Sequence, residues 1–332
     1  LSLAAAQVYP STDTRFTLDA GTATVQIHRI DPTAAAPALP LSAGGALGVR
    51  AGTLVQAGVL RAPQGQLQLQ ATDSLLLAAG SETSVSGAGS TVPWGTTTGG
   101  GATWVLQRPD DRRDQAPDKR IDLQAPQVVL QGAQAGAAAA LVSVAGGGTL
   151  QAHEFVPGPG GSQDIFAGAA GGAFAVLPGI TMAAPVDPAL AGETDAAGQR
   201  SNVAVGRSIT FGPGGPLPAG TYALLPARYA LLPGGFLVRP ATAALLPGMA
   251  VALADGSTSV GAWLGTSGSS LRDARPATFT LLPQALARQS SELLLSDADS
   301  FFNAQAAAAG LAAPRGPADA GALNLSATQL RL

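Results

Sequence analysis

The sequence of 332 residues contains no cysteine and a single lysine, Lys119. Without cysteine, disulfide bonds and thiolate metal sites are excluded. With so few basic residues and a formal net charge of −3, no basic face is available to neutralise the phosphates of a nucleic acid. The sequence therefore predicts no nucleic-acid partner. The lack of cysteine also suits a chain that is threaded unfolded through an oxidising periplasm.

Aromatic and charged side chains are scarce, at 5% and 12%, whereas hydrophobic residues reach 46% and are mostly alanine, leucine and valine. Small apolar residues of this kind favour a narrow, repetitive interior. Glycine (43) and proline (25) together make up near one fifth of the chain. This share is below the roughly 25–30% at which unstructured low complexity becomes the default interpretation. The chain is expected to fold.

No long apolar run has the composition of a membrane helix. The uncharged residues 208–227 are long enough to span a bilayer, but their interior contains Gly-Pro-Gly-Gly-Pro-Leu-Pro, which defeats a transmembrane helix. We therefore expect no membrane insertion. No signal peptide is visible and the first residue is Leu1, so we expect a segment of a longer protein.

The pentapeptide Tyr-Ala-Leu-Leu-Pro occurs twice, at 222–226 and 229–233, and Leu-Leu-Pro recurs at 245–247 and 281–283. Proline at every repeat excludes a coiled coil, because it lacks an N–H and clashes with the preceding helical turn. The residue before each proline is also pushed out of the helical region. The pattern predicts short extended segments, each closed by a bend at proline. The leucines of the tandem block at 222–233 are predicted to be buried.

Strict apolar–polar alternation marks most of the remaining sequence and predicts half-buried strands. A unit of strand, small-residue corner and second strand repeats, and we call each such unit a rung. Because one rung cannot bury its apolar face alone, the rungs are expected to stack as a solenoid. The rungs begin at residues 67, 121 and 323. Five leucines are predicted to point inward: Leu69, Leu77, Leu123, Leu130 and Leu325.

Three polar or glycine-rich stretches interrupt this pattern and are interpreted as lateral excursions. The predicted organisation is a leading β segment at 1–44 and a β-solenoid at 45–332. The excursions fall at 81–120, 186–202 and 304–321. The last of them is expected to hold a short helix after residues 297–302, where acids favour a helix N-terminus. Charges concentrated at 110–120 mark the first excursion as solvated.

From about residue 45 onward the chain resembles the filamentous-haemagglutinin-like exoproteins of bacterial two-partner secretion. The resemblance is carried by Gly-Thr-Leu-Gln-Ala-His-Glu-Phe-Val-Pro-Gly-Pro-Gly-Gly-Ser at 148–162, by the tandem Tyr-Ala-Leu-Leu-Pro stretch and by the rungs. It implies an all-β fold, a right-handed parallel β-helix, and a secreted adhesin or fibre shaft at the bacterial cell surface. It also implies export through an outer-membrane transporter, engaged by a domain outside this segment. The family supplies no catalytic residues.

Candidate chemistry is sparse. His153 and Glu154 could form a metal or catalytic pair, but no third ligand has a recognisable spacing. We favour a structural role in which the Glu154 carboxylate accepts N–H groups from the glycine-rich corner at 157–161, since a buried charge needs partners. No Gly-x-Ser-x-Gly lies in a strand-to-helix context. The sequence therefore predicts no catalytic residue, no metal and no cofactor.

A binding surface is the remaining candidate. Trp94 and Trp104 lie in a Gly/Thr-rich stretch and could form a platform for sugars, although a tryptophan in such a place also often seals the side of a solenoid. The charged residues of the same excursion complete the candidate surface: Asp110, Arg112 and Arg113. Host-cell or surface glycans and proteins are the expected ligands.

The sequence thus predicts a secreted, non-enzymatic surface or fibre protein that mediates attachment. Two alternatives stay open. One is a filament subunit whose open solenoid ends stack end to end between copies. The other is a β-helical carbohydrate-active enzyme, since lyases and hydrolases also use this fold.

Overall fold

The computed structural model describes residues 1–105, 118–158, 164–166, 172–181, 207–267 and 269–332. The described chain is mostly β and divides into two compact units. The first comprises Leu1–Trp94, Leu106–Gln151 and Asp297–Leu332, and the second Gly95–Val105 and Ala152–Ser296.

The elements follow one another along the chain in this order: β1 (Ser2–Ala4), β2 (Arg15–Asp19), β3 (Thr24–His28), β4 (Ala46–Ala57), β5 (Val59–Arg61), β6 (Gln66–Leu77), β7 (Glu82–Ser84), β8 (Thr91–Thr98), β9 (Thr103–Val105), β10 (Arg120–Gln124), β11 (Gln127–Leu130), β12 (Leu141–Ser143), β13 (Thr149–Phe155), β14 (Phe174–Val176), β15 (Arg207–Phe211), β16 (Gly220–Ala223), β17 (Leu225–Pro226), a 3-10 helix (Ala227–Leu231), β18 (Phe236–Ala241), β19 (Ala250–Ala252), β20 (Thr258–Thr266), β21 (Ala277–Pro283), α1 (Gln284–Gln289), β22 (Leu293–Asp297), α2 (Ala298–Ala308), β23 (Ala322–Ser326) and β24 (Gln329–Arg331).

The first unit is built on a parallel sheet in the order β1-β3-β4-β6-β10-β23, in which β2 also pairs with β4, and β11 pairs with β6 and β24. Register places equivalent apolar residues beside one another, so that Val49, Leu69 and Leu123 form one column. All three are at most 1% exposed. Along each strand, the residues on either side of this column point outward, because successive side chains of a strand face opposite sides of the sheet. The alternation of the sequence therefore becomes the core of this unit.

The small parallel sheet β12-β7-β5 also belongs to the first unit. Its strand β7 lies inside the excursion predicted at 81–120, and Val85, directly after β7, is part of the main core cluster. The start of that excursion is thus paired with its neighbours as regular sheet.

The second unit contains an antiparallel sheet in the order β16-β15-β20-β21-β18-β14-β17. A single residue, Leu224, separates β16 from β17 in the chain. The first and last strands of the order therefore lie next to each other, and the sheet is a nearly closed barrel. Its core is rich in aromatic residues: Phe174, Phe211, Tyr222 and Phe279.

The prediction of one right-handed parallel β-helix over 45–332 is therefore wrong. Parallel pairing dominates only the first unit, and the second unit pairs its barrel strands antiparallel. Alternation predicts a strand but does not specify the direction of its partner. The short connections did carry a signal, since parallel strands need long crossovers whereas antiparallel strands need only a tight turn. Asp255-Gly256, between β19 and β20, is such a hairpin turn.

Burial of the Leu-Leu-Pro leucines is confirmed in the tandem block, where Leu225 is 0% and Leu232 is 4% exposed. The two copies nevertheless differ in structure, because residues 227–231 of the second form a 3-10 helix instead of a strand. Pro226 and Pro283 each end a strand and directly precede a helix. Proline suits the end of a strand because it has no backbone N–H that could donate to the neighbouring strand.

The other predicted boundaries have different outcomes. Residues 186–202 lie outside the described residues, and the division at residue 44 stays a prediction. The helix expected after Asp297 is confirmed as α2, and the Asp297 carboxylate caps it by accepting the N–H of Ser300 at 3.1 Å. Across the described ranges, no helix is long and apolar enough to cross a membrane.

Candidate interaction surface

The structure buries both tryptophans of the predicted binding surface. Trp94, in the first unit, is 2% exposed, and its indole N–H donates to the Asp13 carboxylate at 2.9 Å. Trp104, in the second unit, is 3% exposed. Neither ring presents an open face for stacking. The other three residues, Asp110, Arg112 and Arg113, lie outside the described residues, so a binding role for this set stays a prediction.

Glu154 accepts backbone N–H groups, as predicted, but from a different turn. Its carboxylate receives the N–H of Gly100 at 2.9 Å and that of Gly101 at 2.8 Å. Both glycines have positive φ angles, 72° and 82°, a conformation that other residues adopt only at a cost. Of the expected donors at 157–161, residues 159–161 lie outside the described residues. The donors that the structure shows belong to another glycine-rich turn, because glycine content alone does not identify which loop lies beside an acid.

This hydrogen bonding shifts the pKa of Glu154. Burial acts to raise the pKa of the carboxyl, but the N–H groups of Gly100 and Gly101 outweigh it and hold the pKa of Glu154 below its usual value. The neighbouring His153 is buried and packs edge-to-face on Phe166, with ring centroids 5.7 Å apart. Within the described ranges, no cluster of three or more histidine, aspartate or glutamate side chains could hold a metal.

A pH-dependent prediction follows for Glu154. Because the folded pKa is lowered, the carboxylate stabilises the fold above its unfolded pKa of about 4.3, and this contribution is lost as the pH falls through the folded value. Glu154→Gln should therefore be less stable than the parent at pH 7, and the difference should shrink below about pH 4.3. Thermal melts from pH 7 to pH 3 check this. A stability difference that does not depend on pH would contradict it.

The second unit also contains a small apolar cleft near Phe211, Leu217, Met249 and Val260. Its volume is about 10 Å³, which is close to the space that one water molecule occupies. A site of this size does not accommodate a metabolite.

The last strands of the parallel sheet expose residues that the preceding strands bury. Leu325 lies in register with Leu123, and Leu330 with Val128. Leu123 and Val128 are 1% and 0% exposed, whereas Leu325 and Leu330 are 40% and 46% exposed. Leu325 was predicted to point inward, and its register with Leu123 agrees with that, but its side chain is not buried. Its position in the repeat is as expected, but no further strand of the described chain covers it.

This open end, formed by β23 and β24, also has a free hydrogen-bonding edge. Among the described strands, β23 pairs with β10 and β24 pairs with β11, each on one side only. Edge strands usually carry charges, proline or a bulge that discourage further pairing. Strand β23, Ala-Leu-Asn-Leu-Ser, has no charged residue and no proline. By contrast β2, at the other end of the sheet, begins with Arg15 and ends with Asp19.

Lys119 anchors the chain where it enters the open end. The side chain is 1% exposed, and its amine donates to the carbonyl oxygens of Gly316 at 3.0 Å and Pro317 at 2.7 Å. Its own carbonyl accepts the N–H of Ala322, the first residue of β23, at 2.9 Å. Burial lowers the pKa of Lys119, while the carboxylates of Asp299 and Asp319 oppose that shift. The sequence placed this lysine in a solvated loop, so its anchoring role was missed.

Comparison with known proteins finds no matching family model, no matching curated protein and no matching solved structure. The resemblance to filamentous-haemagglutinin-like exoproteins therefore stays a hypothesis.

Proposed function

We propose that this chain is a non-enzymatic structural segment of a secreted bacterial surface or fibre protein, in which further β structure covers the open end. The observation that carries the proposal is the exposure of Leu323, Leu325 and Leu330 at 47%, 40% and 46%, in columns whose other members are buried. Soluble proteins rarely leave such aligned apolar residues beside a free strand edge unless the surface binds something.

The paired strands support a role as part of a shaft. Parallel register continues from β4 through β6 and β10 to β23, so each strand stabilises its neighbours in the manner of a repeat protein. A structure of this kind is lengthened by adding strands at an end. Among the described strands, β23 is paired on one side only, and its other edge is where the next strand would be added.

Single-cysteine labelling tests the proposal, because the chain contains no cysteine of its own and an introduced thiol is unique. Gln68→Cys lies on the exposed outward face of β6, whereas Leu325→Cys lies at the open end. On intact cells that produce the protein, a membrane-impermeant maleimide should label Gln68→Cys but not Leu325→Cys. In the isolated chain both thiols should react.

Two results would contradict the proposal. Failure to label Gln68→Cys on intact cells would place the protein away from the surface. Equal labelling of Leu325→Cys on cells and in isolation would mean that nothing covers the open end. Circular dichroism of both variants should match the parent and so exclude misfolding as the cause.

A further inference from the structure

We infer that residues 99–105, the turn after β8 together with β9, form an acid-sensitive strap. The Glu154 carboxylate on β13 holds this strap in place while it is charged and releases it when it is protonated. The strap and Glu154 both lie in the second unit. The inference is independent of the proposed function, since it concerns a movement within the chain and not its location.

The turn brings two N–H donors to one carboxylate. The N–H of Gly100 donates to Oε1 of Glu154 at 2.9 Å, and that of Gly101 donates to Oε2 at 2.8 Å. Three consecutive glycines, Gly99 to Gly101, have φ angles of 71°, 72° and 82°. Glycine loses more conformational freedom on ordering than any other residue. The two hydrogen bonds therefore have to offset the entropy that the ordered turn loses.

Packing adds little to the attachment of the turn. A Cβ atom built at Gly100 would have no contact within 4 Å, whereas one built at Gly101 would lie 3.0 Å from Cδ2 of Leu294 on β22. Among the described strands, β9 pairs only with β8. An isolated two-stranded ribbon is marginally stable at best. The order of the strap therefore depends on the hydrogen bonds to Glu154.

Trp104 is the large side chain that the strap carries. It is 3% exposed although it lies on a three-residue edge strand. Across the ribbon it is paired with Thr97, which is 2% exposed. When the turn is released, β9 loses its anchor at one end, and we expect the indole ring to become accessible to solvent. Opening thus exposes an aromatic ring without unfolding of the barrel.

Protonation weakens the attachment of the strap. Hydrogen bonds to a charged acceptor are roughly twice as strong as those to a neutral one. Burial raises the pKa of Glu154, but the N–H groups of Gly100 and Gly101 lower it by more. The charged form therefore favours the closed strap above the open-state pKa of about 4.3. This contribution is lost as the pH falls through the lower pKa of the closed state.

The neighbouring strands carry few groups that titrate in acid. Strands β8 and β9 contain no titratable residue. On β13, His153 faces the opposite side of the strand from Glu154 and packs on Phe166. The Asp297 carboxylate, at the end of β22, caps α2. The Glu292 carboxylate, before β22, lies beside the chain at position 158. An acid-induced opening of the turn is therefore assigned to Glu154.

Hydrogen exchange of the Gly100 and Gly101 amides tests the strap, with each rate divided by that of an unstructured peptide at the same pH. In the parent this protection should fall about tenfold from pH 7 to pH 3, because two hydrogen bonds to a charged group become neutral. Glu154→Gln keeps the shape of the side chain but not its charge, and it should show low protection at both pH values. The amides of β20 and β21 should stay protected throughout and so show that the barrel is folded.

Oxidation of tryptophan by hydroxyl radicals, located by mass spectrometry, gives a second readout. Oxidation of Trp104 should increase from pH 7 to pH 3 in the parent, and in Glu154→Gln it should be high at both pH values. Trp94 is the matched control, because it is 2% exposed and its indole N–H donates to Asp13 in the first unit. Its oxidation should not change.

Four results overturn the inference. Equal protection of Gly100 and Gly101 in the parent and in Glu154→Gln at pH 7 would mean that the charge is not needed. Protection in the parent that is unchanged at pH 3 would mean that acid does not release the turn. Unchanged oxidation of Trp104 would mean that β9 stays in place. An equal loss of protection in β20 and β21 would mean that acid unfolds the whole unit.

Discussion

Leu69→Ala should lower the free energy of unfolding by about 2–5 kcal/mol, because a fully buried leucine loses both its transfer energy and its packing neighbours. Leu69 is 0% exposed and lies in register between Val49 and Leu123. The cavity cannot collapse easily, since the strands above and below are fixed by their hydrogen bonds. Denaturant melts of parent and variant measure the difference.

The control is Leu325→Ala in the same column. At 40% exposure this residue has no strand above it among the described residues, and its replacement should cost no more than about 1 kcal/mol in the isolated chain. Equal losses for the two variants would mean that the chain itself covers this end of the sheet, and would contradict an open end.

Arg61→Ala should cost about 3–5 kcal/mol, because it leaves a carboxylate in a partly buried position without its partner. Arg61 is 7% exposed, and its guanidinium makes two 2.8 Å hydrogen bonds to the Glu82 carboxylate, one from Nε and one from Nη2. Its Nη1 also donates to the carbonyl oxygen of Pro37 at 2.8 Å. One side chain thus holds the loop around residue 37 against the sheet of β5 and β7.

The control for Arg61 is an exposed ion pair of the same unit. Arg315 lies 3.5 Å from the Asp118 carboxylate, and both side chains are at least half exposed. Arg315→Ala should change stability by less than about 1 kcal/mol, since solvent screens such pairs. Thermal melts of both variants test the contrast. A loss for Arg61→Ala as small as that for Arg315→Ala would contradict the assigned role.

The sequence predicted the local structure of the parallel sheet well. Repeats at residues 67, 121 and 323 mark strands that pair in register, and Leu69 and Leu123 are buried as expected. The end of the stack could not be predicted, because Leu325 has the same local pattern as the buried leucines. Whether such a residue is covered depends on a neighbouring strand, and the local pattern does not encode that neighbour.

Long-range partners explain most of the errors. Glu154 receives its N–H groups from residues 53 and 54 positions away, and Lys119 donates to carbonyls almost 200 positions away. Neither set of hydrogen bonds produces a periodic pattern in the sequence from which it could be predicted. The antiparallel barrel was missed for a related reason, since alternation is the same in parallel and antiparallel strands and only the length of the connections distinguishes them.

Hydrogen exchange at the backbone amides of β23 and β24 tests the central claim most directly. In the isolated chain these amides should exchange faster than those of β10, which is paired on both sides. The amides of β6, which is also paired on both sides, should exchange as slowly as those of β10. Amides of β23 that are already as protected as those of β10 would contradict the claim that this end of the sheet is open.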